Sequence, residues 1–286
     1  MFYKKRLIHA IGVMCMLSLN SNAADESVRQ PAVAGQFYPD RADSLKSEVG
    51  LFMANGPKTP SCPLMLISPH AGYVFSGPVA GKGYATISKN IKTVIIIGPS
   101  HHEWFSGLCI TDIDYYQTPL GKVPLNKEII LKLRKSPLVH AVRQADEPEH
   151  SLEVQVPFLQ EALTSFSIVP IVTGKVDPIE AADLICPFVN ETTLIIASSD
   201  LSHFHSSLEA KAIDAKTIAT ILSGNADGFI EACGETAIRI VMRCAAKLNL
   251  SPELLDARNS FETAPQYGSS DRVVGYASIV YLKKTK

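Results

Sequence analysis

The 286-residue chain has almost no excess charge. Its 27 Lys and Arg stand against 28 Asp and Glu, a net −1 at pH 7, and only 19% of residues are charged. No basic stripe is present to neutralise phosphates, which argues against nucleic acid as a partner. Internal repeats, low-complexity tracts and long charge runs are also missing, so nothing divides the chain into an array or linked domains. Several catalytic signatures are absent too. Serine hydrolysis would want a G-x-S-x-G elbow, and there is none. "GPVAGKG" offers Gly77, Gly81, Lys82 and Gly83 but lacks the Walker spacing and the Ser or Thr after Lys, so it reads as a closely packed helix start. Neither a C-x-x-C pair nor an H-E-x-x-H helix occurs, which excludes a zinc ribbon and a helix-borne metalloprotease site.

Long hydrophobic runs are scarce as well, with one exception at the start. "MFYKKRLIHAIGVMCMLSLNSNA" has a basic head (Lys4, Lys5, Arg6), an apolar stretch from Leu7 to Leu19, and small residues at Ser21 and Ala23. That is the pattern of a secretory signal peptide over residues 1–23, too short in its apolar part for a comfortable membrane span. The expectation is a periplasmic or secreted protein of one domain, residues 24–286; an uncleaved N-terminal membrane anchor is the alternative. Loss of the three basic residues takes the net charge to −4. Export leaves five cysteines (Cys62, Cys109, Cys186, Cys233 and Cys244), an odd number where disulfides are favoured, so at least one thiol is free or otherwise occupied. Cys186 and Cys244 fall in apolar helical patterns and read as inert core residues. Pairing between Cys62 and Cys109 stays open.

What is present is an alternation of apolar runs and helical periodicities. Strands are expected at Leu64 to Ile67, in "KTVIIIGPSHH", in "SFSIVPIVTG" and in "TTLIIASSDLSHFH", with "NSFETA" and "VVGYASIVYL" as closing strands. Helices are expected over Ala42 to Met53, Ser76 to Tyr84, Lys127 to Arg134, Leu208 to Leu222 and Glu235 to Leu248. Another helix runs through "EPEHSLEVQVPFLQEAL" with Pro157 kinking or restarting it, and one through "DPIEAADLICPFV" has Pro178 in its first turn. "DYYQTPLGKVPLN" reads as an irregular or hairpin segment. Continuous Val/Ile/Leu strands between helices imply a single α/β domain with a mostly parallel central sheet covered on both faces. Such sheets bind ligands beyond the carboxyl ends of their strands.

Three of these strands end in small residues followed by histidine: Pro69-His70, Ser100-His101, and Ser199-Asp200-Leu201-Ser202-His203. Parallel strands bring the three ends to one edge. Imidazoles that converge with a carboxylate or thiolate suit Zn, Fe, Cu or Ni. His70 and His101 are the candidate imidazole ligands, and the third ligand is Asp200 or Cys233. Cys233 precedes Gly234 and a helix start at Glu235, a place where unpaired N–H groups stabilise a thiolate. It is a metal ligand, a nucleophile or a small buried residue before a turn. His203, three residues after Asp200, is a candidate acid/base or outer ligand. Glu149 and His150 open a further polar group, and His150 and Glu153, three residues apart, share one helix face as a substrate-side or ligand-orienting pair, or the group is helix-entry capping with a surface imidazole. His102 reads as a pocket wall and His205 as a solvated residue.

Taken together, "PAVAGQFYP", "SPHAGYVFSG", "IIIGPSHH", "YYQTPLG", "EHSLEVQVPFL", "SSDLSHF", "ACGETAI" and "VGYAS" resemble, in that order, the Memo-like family, also called AmmeMemoRadiSam system protein B. The resemblance covers about Arg29 to Tyr281. That family is similar in fold to class III extradiol (LigB-type) dioxygenases. The resemblance implies that His70, His101 and Cys233 line a metal-binding site bordered by Asp200 and His203, and that iron or copper is the cofactor. It implies AMMECR-type and radical SAM proteins as partners, which export to the periplasm would separate from this chain. Ordinary catechol cleavage uses two His and a carboxylate, and a thiolate in the third place favours other redox chemistry. Three functions follow as expectations: a metal-dependent oxidase- or dioxygenase-like enzyme acting on a small molecule, a non-enzymatic protein binding metal or peptide, and a Cys233/His203 hydrolase or transferase.

Overall fold

A computed structural model describes residues 26–54 and 56–284. The signal-peptide reading therefore lies outside the described residues. Chain entry is a short strand, β1 (Val28–Arg29), followed by helix α1 (Ala42–Met53) and the buried strand β2 (Met65–Ser68). Helix α2 (Tyr73–Tyr84) starts three residues earlier than its small-residue pattern suggests and is built for contact. A Cβ on Gly81 would meet the Phe52 backbone of α1 at 2.4 Å, and one on Gly83 would meet Leu66 of β2 at the same distance. The "GPVAGKG" stretch is thus a packing face.

Strand β3 (Thr93–Pro99) comes next, then β4 (Leu108–Cys109) and a hairpin of β5 (Tyr115–Thr118) and β6 (Gly121–Pro124). Helix α3 (Lys127–Leu133) begins at Asn126, whose side chain accepts the Ile129 N–H, and leads to β7 (Val139–His140) and α4 (Arg143–Asp146). The run around Pro157 restarts as expected: α5 (His150–Glu153) ends and α6 (Val156–Ala162) begins with the proline in its first turn. Strand β8 (Ser167–Thr173), helix α7 (Pro178–Ile185) and strand β9 (Thr193–Ser198) complete this part. After the short β10 (His203–His205), α8 (Ser207–Ser223) opens with a Ser206/Glu209 capping box and closes at left-handed Gly224. Helix α9 (Glu235–Lys247), strand β11 (Leu250–Asn259), the single turn α10 (Ser260–Thr263) and strand β12 (Val273–Lys283) finish the fold.

The main sheet has the order β10-β12-β2-β9-β3-β8-β4-β7, with β11 also paired to β12. Its centre, β2, β9, β3 and β8, is parallel, and every residue of β2, β3 and β9 is buried, as expected of a sheet covered on both faces. β10, β11 and β12 form an antiparallel flank, and β4 runs antiparallel to β8. One expectation is overturned. "NSFETA" is no strand: Asn259 accepts the Phe261 and Glu262 N–H groups and Glu262 caps Asn259 in return, which winds α10. The strand at this point is β11, upstream and partly exposed. Among the described residues no helix is long and apolar enough to cross a membrane.

Register aligns the strand ends. Ser68 of β2 pairs with Ser198 of β9, and Ala197 of β9 pairs with Ile97 of β3. His70, His101 and Asp200 each follow their strand's last residue by two positions, so all three emerge at one edge.

The cysteine reading also changes. Cys186 and Cys244 are joined by a disulfide, while Cys62, Cys109 and Cys233 are free thiols. Packing of α7 against α9 brings the two buried thiols together, which their separate apolar patterns did not reveal.

Candidate metal centre

His70 is buried and held from both sides. Its backbone N–H donates to Asp200 Oδ1 at 2.7 Å, and its Nδ1 lies 2.9 Å from Ser198 Oγ. The Ser198 hydroxyl spends its only proton on Ser151 O, at 2.6 Å, and accepts from Gln155 Nε2 at 2.8 Å. It can only accept from His70, so the Nδ1 carries the proton and Nε2 presents its lone pair. Burial, together with the neighbouring His101 and His150, pushes the His70 imidazole well below its usual range and keeps it neutral.

His101 is arranged the same way by a different partner. Its Nδ1 is 2.9 Å from Glu149 Oε1, and its backbone N–H donates to Oε2 at 2.7 Å. Burial opposes a charge on Glu149, but the hydrogen bonds from His101 and the Ser151 N–H prevail and hold the carboxyl at about 2. An ionised carboxylate accepts only, so His101 donates its Nδ1–H to Glu149, and in the neutral ring the lone pair then falls on Nε2. The two rings meet edge-on with centroids 5.2 Å apart.

Cys233 lies on the turn before α9, its Sγ 3.2 Å from His70 Nε2. Gly234 makes this approach feasible, since a Cβ there would stand 2.6 Å from Ser198 O. The expected stabilisation of a thiolate by the helix start is outweighed. Burial pushes the Cys233 thiol up to about 12, with Asp200 adding to the shift. A free, metal-less Cys233 is therefore protonated and a poor nucleophile, which counts against the hydrolase reading. One donor atom from each of His70, His101 and Cys233 lies within 4.8 Å of the others. Two imidazoles and a sulfur at that spacing fit a transition-metal ion, and the sulfur gains as a cation replaces its proton.

Asp200 sits beside this set with Oδ1 occupied by the His70 and Ala71 N–H groups, while its carbonyl accepts from the Cys233 N–H. It links the two ligand-bearing turns. Burial raises its carboxyl to about 6 against the pull of those N–H donors and of His203. His203 donates its Nδ1–H to Leu201 O at 2.8 Å, and its Nε2 makes no hydrogen bond among the described residues. His150 stacks on His101 at 4.5 Å, and burial lowers its imidazole to about 4. His102 is exposed, 6.4 Å from the His150 ring. Two residues go elsewhere. Glu153 takes Arg29, Tyr38 and the Ala32 and Val33 N–H groups, anchoring the chain entry instead of facing the pocket with His150. His205 is paired with Glu231 at 2.9 Å and not merely solvated.

Sequence reasoning missed Ser198, Ser151 and Gln155. Gln155 was the visible signal, a lone amide in the buried run "LEVQVPF"; its side chain donates to both Ser198 Oγ and Pro69 O. A cavity of about 730 Å³ opens beside Arg29, Thr111 and Asp146 and shares no residue with the donor set.

The profile of the family described as Memo-like protein matches residues 29–280. A MEMO1 family protein of Thermoplasma volcanium is 34% identical over 270 residues, covering 90% of this chain and 99% of its own length. MEMO1 family proteins of Methanosarcina mazei and Archaeoglobus fulgidus are 35% and 34% identical over 269 residues, with 88% and 89% of this chain covered and 98% and 99% of theirs. An uncharacterized protein of Escherichia coli K12 superposes with a TM-score of 0.47 at 11% identity, over 75% of this chain and 98% of that one. A profile match over nearly the whole described chain, with relatives at this identity along their full length, shows that the chain belongs to the Memo-like family.

Proposed function

We propose that this chain is a metal-dependent redox protein that holds one iron or copper ion on His70 Nε2, His101 Nε2 and Cys233 Sγ and oxidises a small organic substrate with O2. The observation that carries this reading is the matched hydrogen bonding of the two imidazoles: each Nδ1 lies 2.9 Å from an oxygen acceptor, Ser198 Oγ or Glu149 Oε1, which leaves the Nε2 of each neutral ring to face a metal beside the Cys233 sulfur. When bound, the metal supplies Lewis acidity and one-electron chemistry. Asp200 holds the His70 and Cys233 turns in register. His203, close enough to act on His70 electrostatically, has an Nε2 without a hydrogen bond among the described residues, and that nitrogen would take a substrate proton.

Elemental analysis of the purified protein beside His101→Ala and Cys233→Ser variants tests the site. At least one equivalent of iron or copper in the wild type, reduced by at least one equivalent in each variant, is the expected result. Full occupancy in both variants sinks the assignment. O2 uptake with candidate substrates then tests the activity.

A second reading, a metal-holding protein without turnover, is favoured by the sulfur ligand itself, because a thiolate beside iron and O2 is prone to oxidation. Tight metal binding with no O2 consumption across a broad substrate panel selects it.

A further inference from the structure

His150 is packed into the centre without belonging to the His70–His101–Cys233 set. Its ring stacks on His101 at 28° between planes, meets His70 edge-on at 5.4 Å and is backed by Phe37 at 4.7 Å. Among the described residues its one polar ring contact is Nδ1 to Glu149 Oε1, at 3.5 Å. The same Oε1 is 2.9 Å from His101 Nδ1. Two donors sharing a cation at bond lengths near 2.0 Å in a tetrahedral array stand about 3.3 Å apart, and the two separations straddle that value. One donor atom from each of His101, Glu149 and His150 lies within 4.8 Å of the others.

We propose that His101 Nδ1, Glu149 Oε1 and His150 Nδ1 would hold a second divalent cation, with the His101 ring, as the imidazolate, joining it to the first position through Nε2 when both are filled. The second position does not require the first to be filled. Loading exchanges a proton for the cation: the His101 Nδ1 proton leaves to solvent, and Oε1 replaces that hydrogen bond by a metal bond. The carboxylate stays in place because Oε1 keeps the Ser151 N–H and Oε2 keeps the His101 backbone N–H. Two imidazoles and a carboxylate are harder than two imidazoles and a thiolate. The second position therefore suits Zn(II), Co(II), Mn(II) or Fe(II), while the sulfur side is the better place for Cu(I).

The test is an anaerobic titration of the metal-free full-length protein with Co(II). Two equivalents are expected. One develops the sulfur-to-cobalt charge-transfer band of Cys233, and the other adds only ligand-field absorption. His150→Gln should stop at one equivalent with the band intact. The His70→Ala/Cys233→Ala double variant should bind one equivalent without the band, and His205→Ala, an imidazole removed elsewhere, should still bind two. A wild type that saturates at one equivalent with the band, beside a double variant that binds none, overturns the second position and leaves the first standing. One bandless equivalent in the wild type, lost in His150→Gln, overturns the first and leaves the second. Circular dichroism checks that each variant folds; if the double variant does not, the His150→Gln stoichiometry against wild type decides alone.

Discussion

The chemistry of His70 depends on a hydroxyl that never touches the metal position. Ser198 Oγ donates its hydrogen bond to Ser151 O and so dictates which nitrogen of His70 is protonated. Ser198→Ala removes that constraint, and His70 is then free to place its proton on Nε2, where it blocks ligation. Metal affinity should fall by about 10- to 100-fold, the usual effect of losing a partner that orients a ligand. A chelator-competition titration reads this directly, and an unchanged affinity refutes the role given to Ser198. Asp200 acts on the backbone instead. Asp200→Ala leaves the buried His70 N–H and the half-buried Ala71 N–H without their acceptor, which costs roughly 1–3 kcal/mol of stability. Urea unfolding of the metal-free protein checks it, and an unshifted midpoint contradicts the clamp.

At the level of elements, the decisive contact is the start of α9 against the end of β9. Gly234 has room for no side chain there, because a Cβ would stand 2.6 Å from Ser198 O and 2.7 Å from Ser199 Cβ. Gly234→Ala should destabilise the fold by about 1–3 kcal/mol and push Cys233 away from His70. Loss of the sulfur-to-metal charge-transfer band in the cobalt-loaded variant is the expected signature; an intact band means the turn yields without moving the sulfur. Helix α8 meets the same region through Asp214, whose Oδ1 accepts the Ser202 N–H and whose carboxyl is raised by burial. An acid with a higher folded than unfolded value supports the native state below the ordinary carboxylate range, and that support is lost as pH rises through the folded value. Asp214→Asn keeps an acceptor for Ser202 and removes the charge. Its melting temperature should exceed that of the wild type at pH 7 but not at pH 3, and a gain of equal size at both values rules out the charge as the cause.

The whole molecule is stapled at the end of α9 opposite to Cys233. Cys186 and Cys244 close a loop with a sequence separation of 58, for which the chain-entropy model gives about 4 kcal/mol. Cys244 lies eleven residues beyond Cys233, about 16 Å along a helix. The staple and the metal centre should therefore be separable. A Cys186→Ala/Cys244→Ala variant is expected to melt at lower temperature while keeping wild-type metal stoichiometry. Simultaneous loss of metal shows that α9 transmits strain between its ends.

The amino-acid sequence alone determined the layers and the edge at which chemistry gathers. Unbroken runs such as "TVIIIGP" in β3 and "TLIIAS" in β9 admit little but buried parallel strands, and a strand ending in small residues then delivers His70, His101 and Asp200 to the carboxyl edge. Motif order was enough to point to the Memo-like family, and its profile match agrees. Tertiary structure decided the rest, because the rest depends on groups far apart in the chain. The strand β11, with Pro252 and exposed positions, pairs only because β12 lies beside it. Ser198 governs a histidine 128 residues away, and the Cys186–Cys244 bond arises from the packing of α7 on α9. Local periodicity records which face of an element is buried; which nitrogen keeps its proton, and which thiol finds a partner, is set by three-dimensional neighbours that periodicity does not encode.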